Sequence, residues 1–234
     1  AGPTPGSYRS RVRHVGHERA RRTATLLAPV TVPVSMSAAF ALLGRRLPAR
    51  RAYAVGFAVY WLGWGTAFPL WVLGPREAWR WLGGGRRPHV GEAVLLLVPL
   101  AGAVATELVP QRRLVTARVA AVMVATATVN AASEELLWRA LFLAQFPDDA
   151  ARGRLWPLAG FTVWHLAPQL VLPSRRGRLP FLGGALLVGA AATAVGARCG
   201  GLRTVLVAHM ATDACGVRAA RFRLGMPVPP TMHP

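Results

Sequence analysis

Long apolar runs, separated by short stretches rich in Arg, Gly and Pro, dominate the pattern of hydrophobic and polar positions. The runs lie at about 24–43, 53–73, 90–109, 117–146, 155–172, 179–197 and 201–220. Each is near or above the ~17–25 residues that a helix needs to cross a bilayer. The pattern predicts an all-α, polytopic integral membrane bundle of about seven transmembrane helices, in which short loops make consecutive helices antiparallel.

Composition and charge agree with the membrane class. The 234 residues are 53% apolar and 16% charged, whereas about 25% of the residues in soluble domains are charged. The formal net charge is +19, carried by Arg residues in short clusters beside the apolar runs. Anionic lipid headgroups are the expected partner of such clusters. Nucleic acid is not expected, because no stacking aromatic motif is interleaved with them. The composition resembles that of a bacterial chain, so we expect a multi-pass protein of the bacterial plasma membrane.

The pattern divides the chain into four parts. Residues 1–22 are basic and lack apolar periodicity, so we expect a disordered arm. Residues 23–110 hold three transmembrane helices to which the sequence assigns no role, and residues 221–234 form a tail. Residues 117–220 carry nearly all the ionisable side chains within apolar runs. Tryptophans in the second run are expected to anchor it at the membrane interface: Trp61, Trp64 and Trp71.

Seven side chains within three of the last four runs are candidates for a polar site: Asn130, Glu134, Glu135, Arg139, His165, His209 and Asp213. A central Asp or Arg costs about 2.5–3.5 kcal/mol on membrane-insertion scales. Four unpaired charges would cost on the order of 10 kcal/mol, comparable with the stability of a whole domain. These groups must therefore pair with one another or line a wet cavity.

Spacing predicts how the groups pair. Glu135 and Arg139 are four residues apart and can form an ion pair on one helix, while Glu134 is rotated about 100° from Glu135 and can face another partner. His209 and Asp213 share one stripe of the last run. A single buried His or Glu–Arg pair is usually structural, but their concentration here indicates a polar site for general-base chemistry on a bound water.

Three motifs at these positions resemble the CAAX protease and bacteriocin-processing (CPBP, or Abi) family of intramembrane peptidases. Glu-Glu-x-x-x-Arg stands at 134–139, Phe-x-x-x-His at 161–165 and His-x-x-x-Asn/Asp at 209–213. The motifs occur in order, each in an apolar run, and the resemblance covers roughly residues 117–220.

The resemblance implies a role for each motif residue. Glu134 and His165 would activate the attacking water, and His209 with Asp213 would stabilise the oxyanion. The supporting residues would hold the geometry: Glu135, Arg139, Phe161 and Asn130. Many relatives have Asn where this chain has Asp213, and an ionised Asp donates no hydrogen bond. Asp213 must therefore be protonated, orient His209 or coordinate a cation.

A metal-free site is favoured, and zinc is the alternative cofactor. Two His and one carboxylate could supply the three protein ligands of a catalytic zinc, and the expected set is Glu134, His165 and His209. The zinc-protease motif His-Glu-x-x-His does not occur, and neither does the Gly-x-Ser-x-Gly elbow of serine hydrolases.

The expected function is an intramembrane endopeptidase, similar to CAAX prenyl proteases, that cleaves a membrane-associated peptide or protein. A non-catalytic membrane scaffold or bacteriocin-immunity-type protein with the same fold is the alternative. A transporter or proton relay could use the same buried acids.

Overall fold

The computed structural model describes the backbone of residues 5–228 and the side chains of residues 16–228, and this part of the chain is helical without a β-strand. The α-helices are α1 (Pro5–Arg46), α2 (Ala49–Val59), α3 (Phe68–Leu73), α4 (Pro75–Gly83), α5 (Val90–Ala103), α6 (Val109–Gln111), α7 (Ala117–Glu135), α8 (Leu141–Gln145), α9 (Trp156–Trp164), α10 (Arg178–Cys199), α11 (Arg203–Asp213) and α12 (Val217–Arg223). The all-α prediction is confirmed.

Several α-helices are joined end to end by π-helical segments. Tyr60–Ala67 joins α2 to α3, Val104–Leu108 joins α5 to α6, Leu136–Ala140 joins α7 to α8, and Ala151–Leu155 leads into α9. Short 3₁₀ turns follow at Arg112–Leu114 and Pro168–Leu170. π-Helical turns often occur at functional sites, because the extra residue re-aims the side chains around it.

Four of the described helical segments are long and apolar enough to cross a membrane: Gly16–Arg46, Ala49–Leu73, Val90–Leu114 and Arg178–Cys199. Large apolar side chains point outward from them, including Leu62, Val90 and Leu179. Such side chains suit a hydrocarbon environment. The polytopic membrane class is therefore confirmed, and the number of seven crossings stays a prediction.

The ends of the chain differ from the sequence expectation. Helix α1 already begins at Pro5, although residues 1–22 were expected to be disordered; residues 1–4 lie outside the described residues. Ala and Arg in this arm are good helix formers, so the helix extends beyond its apolar part. In the expected tail, α12 runs on to Arg223, and residues 229–234 lie outside the described residues.

Two predicted spans are shorter helices in the structure. The run 155–172 is α-helical only up to Trp164, and the run 201–220 is divided at 214–216 between α11 and α12. Pro168 ends regular α-helix in the first because it lacks a backbone N–H group. The break in the second places Asp213 at the end of a helix.

The middle of the bundle is the helical stretch from α7 to α8. Residues 133–143 are all buried, so this stretch is covered on every side. Helix α7 packs against α11, α12 and the π-helical segment Tyr60–Ala67. Gly65 allows the π-helical segment to lie close to α7, because a Cβ at this position would lie 2.5 Å from Cβ of Ser133. The apolar run 53–73, which contains this segment, is thereby brought next to Glu134.

Candidate active site

Glu134 lies near the end of α7 with 1% of its surface exposed. Its Oε1 atom accepts a hydrogen bond from the indole Nε1 of Trp164 at 2.8 Å and a longer one from the Tyr60 hydroxyl at 3.4 Å. The rings of Tyr60 and Trp164 are stacked at 3.7 Å. The other oxygen, Oε2, has no hydrogen-bond partner among the described residues. One oxygen is thus held by aromatic donors, and the other faces the imidazole of His209.

His209, on α11, lies between the two glutamates. Its Nδ1 donates to Oε1 of Glu135 at 2.7 Å, because the carboxylate can only accept. Its Nε2 lies 3.4 Å from Oε2 of Glu134 and 3.5 Å from Oδ1 of Asp213. A nitrogen lone pair would be repelled by two carboxylate oxygens. This position therefore suits a proton on Nε2 or a cation between the three groups.

Asp213 is held from the side opposite His209 by Asn130. The amide Nδ2 of Asn130 donates to Oδ2 of Asp213 at 2.8 Å, and its Oδ1 accepts from the indole of Trp61 at 2.8 Å. An indole N–H can only donate, so the orientation of the amide follows from this network. Asp213 therefore acts as an acceptor at Oδ2.

His165 follows the last residue of α9. Its Nδ1 lies 2.7 Å from the backbone oxygen of Phe161, and since a carbonyl only accepts, Nδ1 carries the proton. In the neutral ring, Nε2 is then the atom that can accept a proton. The ring packs against the side chains of Phe161 and Phe181, with centroid distances of 4.6 Å and 5.8 Å.

Glu135 and Arg139 form the ion pair that their spacing predicted. Nη1 of Arg139 lies 3.2 Å from Oε1 of Glu135, and both side chains are fully buried. The guanidinium also lies over the ring of Phe161, with 4.0 Å between its central carbon and the ring centroid. The ion pair is connected to the site through His209, because Nδ1 of His209 binds the same Oε1 atom of Glu135.

Two cavities meet at this cluster. The first, of about 190 Å³, is lined by Glu134, Asn130, Trp164 and Arg223, among others. The second, of about 350 Å³, lies between α5, α10 and α11 and is mainly apolar, with His209 in its wall. Both are also lined by His165, Phe181 and Asp213. Glu134 and His165 therefore lie beside space that a small molecule or peptide segment can enter.

The part of the chain that carries the motifs is similar to a known family. Residues 116–215 match the family model described as type II CAAX prenyl endopeptidase Rce1-like. This region contains all three motifs and confirms the resemblance that they indicated. No curated protein and no solved structure matches the chain. The apolar helices together with the family match indicate a membrane protein.

The matched region brings together most of the residues expected at the site. Glu134, His209 and Asp213 form one cluster, and His165 lines the cavities beside it. The supporting residues all contact this cluster or its neighbours: Asn130, Glu135, Arg139 and Phe161.

Aromatic donors were missed by the sequence reasoning. Trp61 was expected at the membrane interface, but its indole binds Asn130 inside the bundle. Tyr60 and Trp164 were assigned no role, yet both contact Glu134, and the Tyr60 hydroxyl also accepts from Trp138. Of these aromatic residues, only Trp164 could have been noticed in the sequence, because it stands directly before the motif residue His165.

The donor atoms of Glu134, His209 and Asp213 lie within 4.8 Å of one another and could hold a metal ion. Three protein ligands with an open position suit catalytic zinc. Oε2 of Glu134 lacks a hydrogen bond among the described residues, and Nε2 of His209 lies between two carboxylates, so these atoms fit such a cation. The set differs from the expected one, since Asp213 takes the place of His165.

Proposed function

We propose that this protein is an intramembrane endopeptidase of the CAAX prenyl protease type, in which Glu134 and His165 activate a water molecule. The observation that carries the proposal is Oε2 of Glu134, a buried carboxylate oxygen without a hydrogen bond among the described residues, which faces Nε2 of His209 at 3.4 Å. Glu134 is 1% exposed and lies in the wall of a cavity that His165 also lines. A water beside Glu134 and His165 would give this buried acceptor the hydrogen bond that it lacks.

In the first step, a water in the first cavity donates hydrogen bonds to Oε2 of Glu134 and Nε2 of His165. Its oxygen attacks the carbonyl carbon of the scissile peptide bond, and Glu134 takes the proton as general base. The carbonyl becomes a tetrahedral oxyanion. When the carbon–nitrogen bond breaks, that proton passes to the leaving nitrogen, which gives a carboxylic acid and an amine.

His209 is the expected donor to the oxyanion. Its Nδ1 is engaged by Glu135, so a proton on Nε2 points toward the space between Glu134 and Asp213. Donors fixed before the reaction stabilise the developing charge without reorganising. Asp213 accepts from Asn130, which supports a role in orienting the His209 ring rather than in donating to the oxyanion.

A metal ion could be held by Glu134, His209 and Asp213. When bound, it would polarise the carbonyl and lower the pKa of a bound water. Glu135 would then still orient His209 through Nδ1, which is the usual position of an outer-shell partner of a ligating imidazole.

The proposed substrate is a membrane-associated peptide or protein. The second cavity is mainly apolar and lies between α5 and α10, two of the candidate membrane spans. Such a cavity suits an apolar chain that enters from the lipid phase, and the matched family is described as type II CAAX prenyl endopeptidase Rce1-like. A bacterial plasma membrane is the proposed location.

The test is cleavage of a quenched membrane-peptide library by protein in nanodiscs, including prenylated peptides. Wild type, Glu134→Gln and Glu77→Gln are compared, each with and without a strong chelator. Glu77 is a carboxylate on α4, paired with Arg80 at the surface. We expect product from wild type and Glu77→Gln, and none from Glu134→Gln.

Each result has a separate meaning. Product that survives the chelator supports the metal-free glutamate mechanism, whereas loss of product with the chelator supports the metal alternative. Equal cleavage by wild type and Glu134→Gln would show that Glu134 is not the base. No product in any arm would favour the scaffold or immunity-type role.

A further inference from the structure

Arg223, the last residue of α12, lies in the wall of the first cavity together with Glu134. Its guanidinium carbon is 5.0 Å from the ring centroids of both Tyr53 and Phe57, and 5.6 Å from that of Trp61. Contacts with three rings fix the position of the guanidinium, because a cation is attracted to the faces of aromatic rings.

The hydrogen-bonding capacity of Arg223 is unused within the protein. Arginine has five N–H donors and no acceptor, yet no hydrogen bond or ion pair of this guanidinium is found among the described residues. Arg221, on the same helix, contrasts with it, since it donates to the backbone oxygens of Pro227 and Leu114. Contacts with ring faces leave the N–H edges of Arg223 available to a ligand.

The charged side chains that line the first cavity favour an anionic ligand at Arg223 and disfavour one beside the carboxylates. Arg223 is the only arginine among the described residues that line the first cavity, while Glu134 and Asp213 place carboxylates in the same wall. A ligand carboxylate is repelled by those two groups and attracted by the guanidinium. A planar guanidinium binds a carboxylate through two parallel hydrogen bonds, which fixes direction as well as position.

We propose that Arg223 determines substrate specificity by binding a carboxylate on the segment of the peptide that extends past the scissile bond into the first cavity. The inference rests on the proposed peptidase function and names the chemistry that the site selects. With the carboxylate at Arg223, the peptide carbonyl lies toward Glu134 and the remainder of the chain leaves through the second cavity. The cavities share His165, Phe181 and Asp213, so one chain can occupy both.

The experiment measures binding, so that it is independent of turnover. Fluorescent peptides with a prenylated Cys followed by three randomised residues are prepared as the free acid, as the C-terminal amide, and as an amide with Asp at the last position. They are titrated into full-length Glu134→Gln protein in nanodiscs, alone and combined with Arg223→Gln, Arg223→Lys or Arg176→Gln. Arg176 is the matched control, since it is a cation in the wall of the second cavity.

We expect the free acid to bind about tenfold or more tightly than the amide, as a charge-assisted hydrogen-bond pair implies. Arg223→Gln should remove that preference and leave binding of the amide unchanged, which also shows that the variant is folded. Arg223→Lys should retain part of the preference for the free acid, and Arg176→Gln should retain all of it. Tight binding of the Asp-bearing amide would show that a side-chain carboxylate is sufficient. Weak binding of this peptide would show that the C-terminal carboxylate is required.

Two results would overturn the proposal. Equal affinity for all three peptides would show that no carboxylate is selected, and loss of the preference with Arg176→Gln instead would place the carboxylate in the second cavity. Arg223 as a purely structural clamp between α12 and α2 predicts equal losses for acid and amide. If Glu134→Gln binds with the expected preference but the wild-type protein cleaves none of these peptides, the peptidase function is contradicted and the role of Arg223 stands.

Discussion

Trp164 donates its indole N–H to Oε1 of Glu134 at 2.8 Å, from the position directly before His165. The bond holds the carboxylate in one orientation, with Oε2 facing His209. Two residues that are neighbours in the sequence therefore contact different parts of the site. Trp164 orients the proposed general base, and His165 lines the cavity in which the water is proposed to lie.

Replacing Trp164 with Phe should lower kcat while leaving the fold intact. Phe keeps an aromatic ring against Tyr60 but removes the donor to Glu134. A hydrogen bond to a charged group contributes about 1.5–3 kcal/mol, so we expect kcat to fall roughly ten- to hundredfold. Trp156→Phe is the control, since its indole donates to the backbone oxygen of Leu26 away from the site. Equal rates for both variants in the peptide assay would show that this bond does not serve catalysis.

Replacing Asp213 with Asn tests the role of this residue. An Asn side chain can accept from Asn130 through its oxygen and place its amide toward the oxyanion. We expect the variant to retain activity within about tenfold of wild type, because a neutral donor replaces an orienting acceptor. Asp213→Leu, which offers neither group, should be inactive. If Asp213 is a metal ligand, Asp213→Asn should instead need more added zinc for activity.

Replacing Glu135 with Gln should destabilise the protein strongly. The change leaves the charge of Arg139 buried without its partner, and breaking a buried ion pair in this way costs about 3–5 kcal/mol. The double variant with Arg139→Met should recover part of the loss, since it removes the unpaired charge. Denaturant unfolding in detergent measures all three proteins.

The surface variant Glu77→Gln is the control for that series. It breaks the pair with Arg80, which is largely exposed, and pairs at the surface contribute little. A small effect of Glu135→Gln, similar to that of Glu77→Gln, would show that the cation–π contact with Phe161 is enough to hold Arg139.

Replacing Gly65 with Ala should separate the second run from α7. The added Cβ would lie 2.5 Å from Cβ of Ser133, and overpacking of this kind costs about 1–3 kcal/mol. We expect a lower Tm and reduced cleavage, since Tyr60 and Trp61 lie on the same π-helical segment. Gly63→Ala is the matched control, because a Cβ there meets nothing within 4 Å. Equal Tm values for the two variants would contradict the packing argument.

The candidate site was predictable where chemistry alone marks a residue. Glu134, His165, His209 and Asp213 stand out because ionisable side chains inside apolar runs must find partners. The ion pair of Glu135 with Arg139 followed from helix periodicity and is present.

Partners contributed by other helices were not predictable. Rotation along α7 suggested that Glu134 and Glu135 face different partners, yet both lie against His209. The imidazole makes this possible because its two nitrogens lie on different sides of one ring. Likewise, the sequence around Tyr60 and Trp61 does not show whether these side chains anchor the helix at a membrane interface or donate hydrogen bonds inside the bundle. In the structure, they donate to Glu134 and Asn130.

The sequence by itself determined that this chain is a helical membrane protein with buried acids and imidazoles, because hydropathy and helical periodicity depend on neighbours along the chain. Only the tertiary structure decided which oxygen of Glu134 binds the aromatic donors, which side of His209 meets each carboxylate, and that Asp213 rather than His165 completes the possible metal set. These features depend on distances of a few ångströms between helices, which are set by close contacts such as that of Gly65 with Ser133.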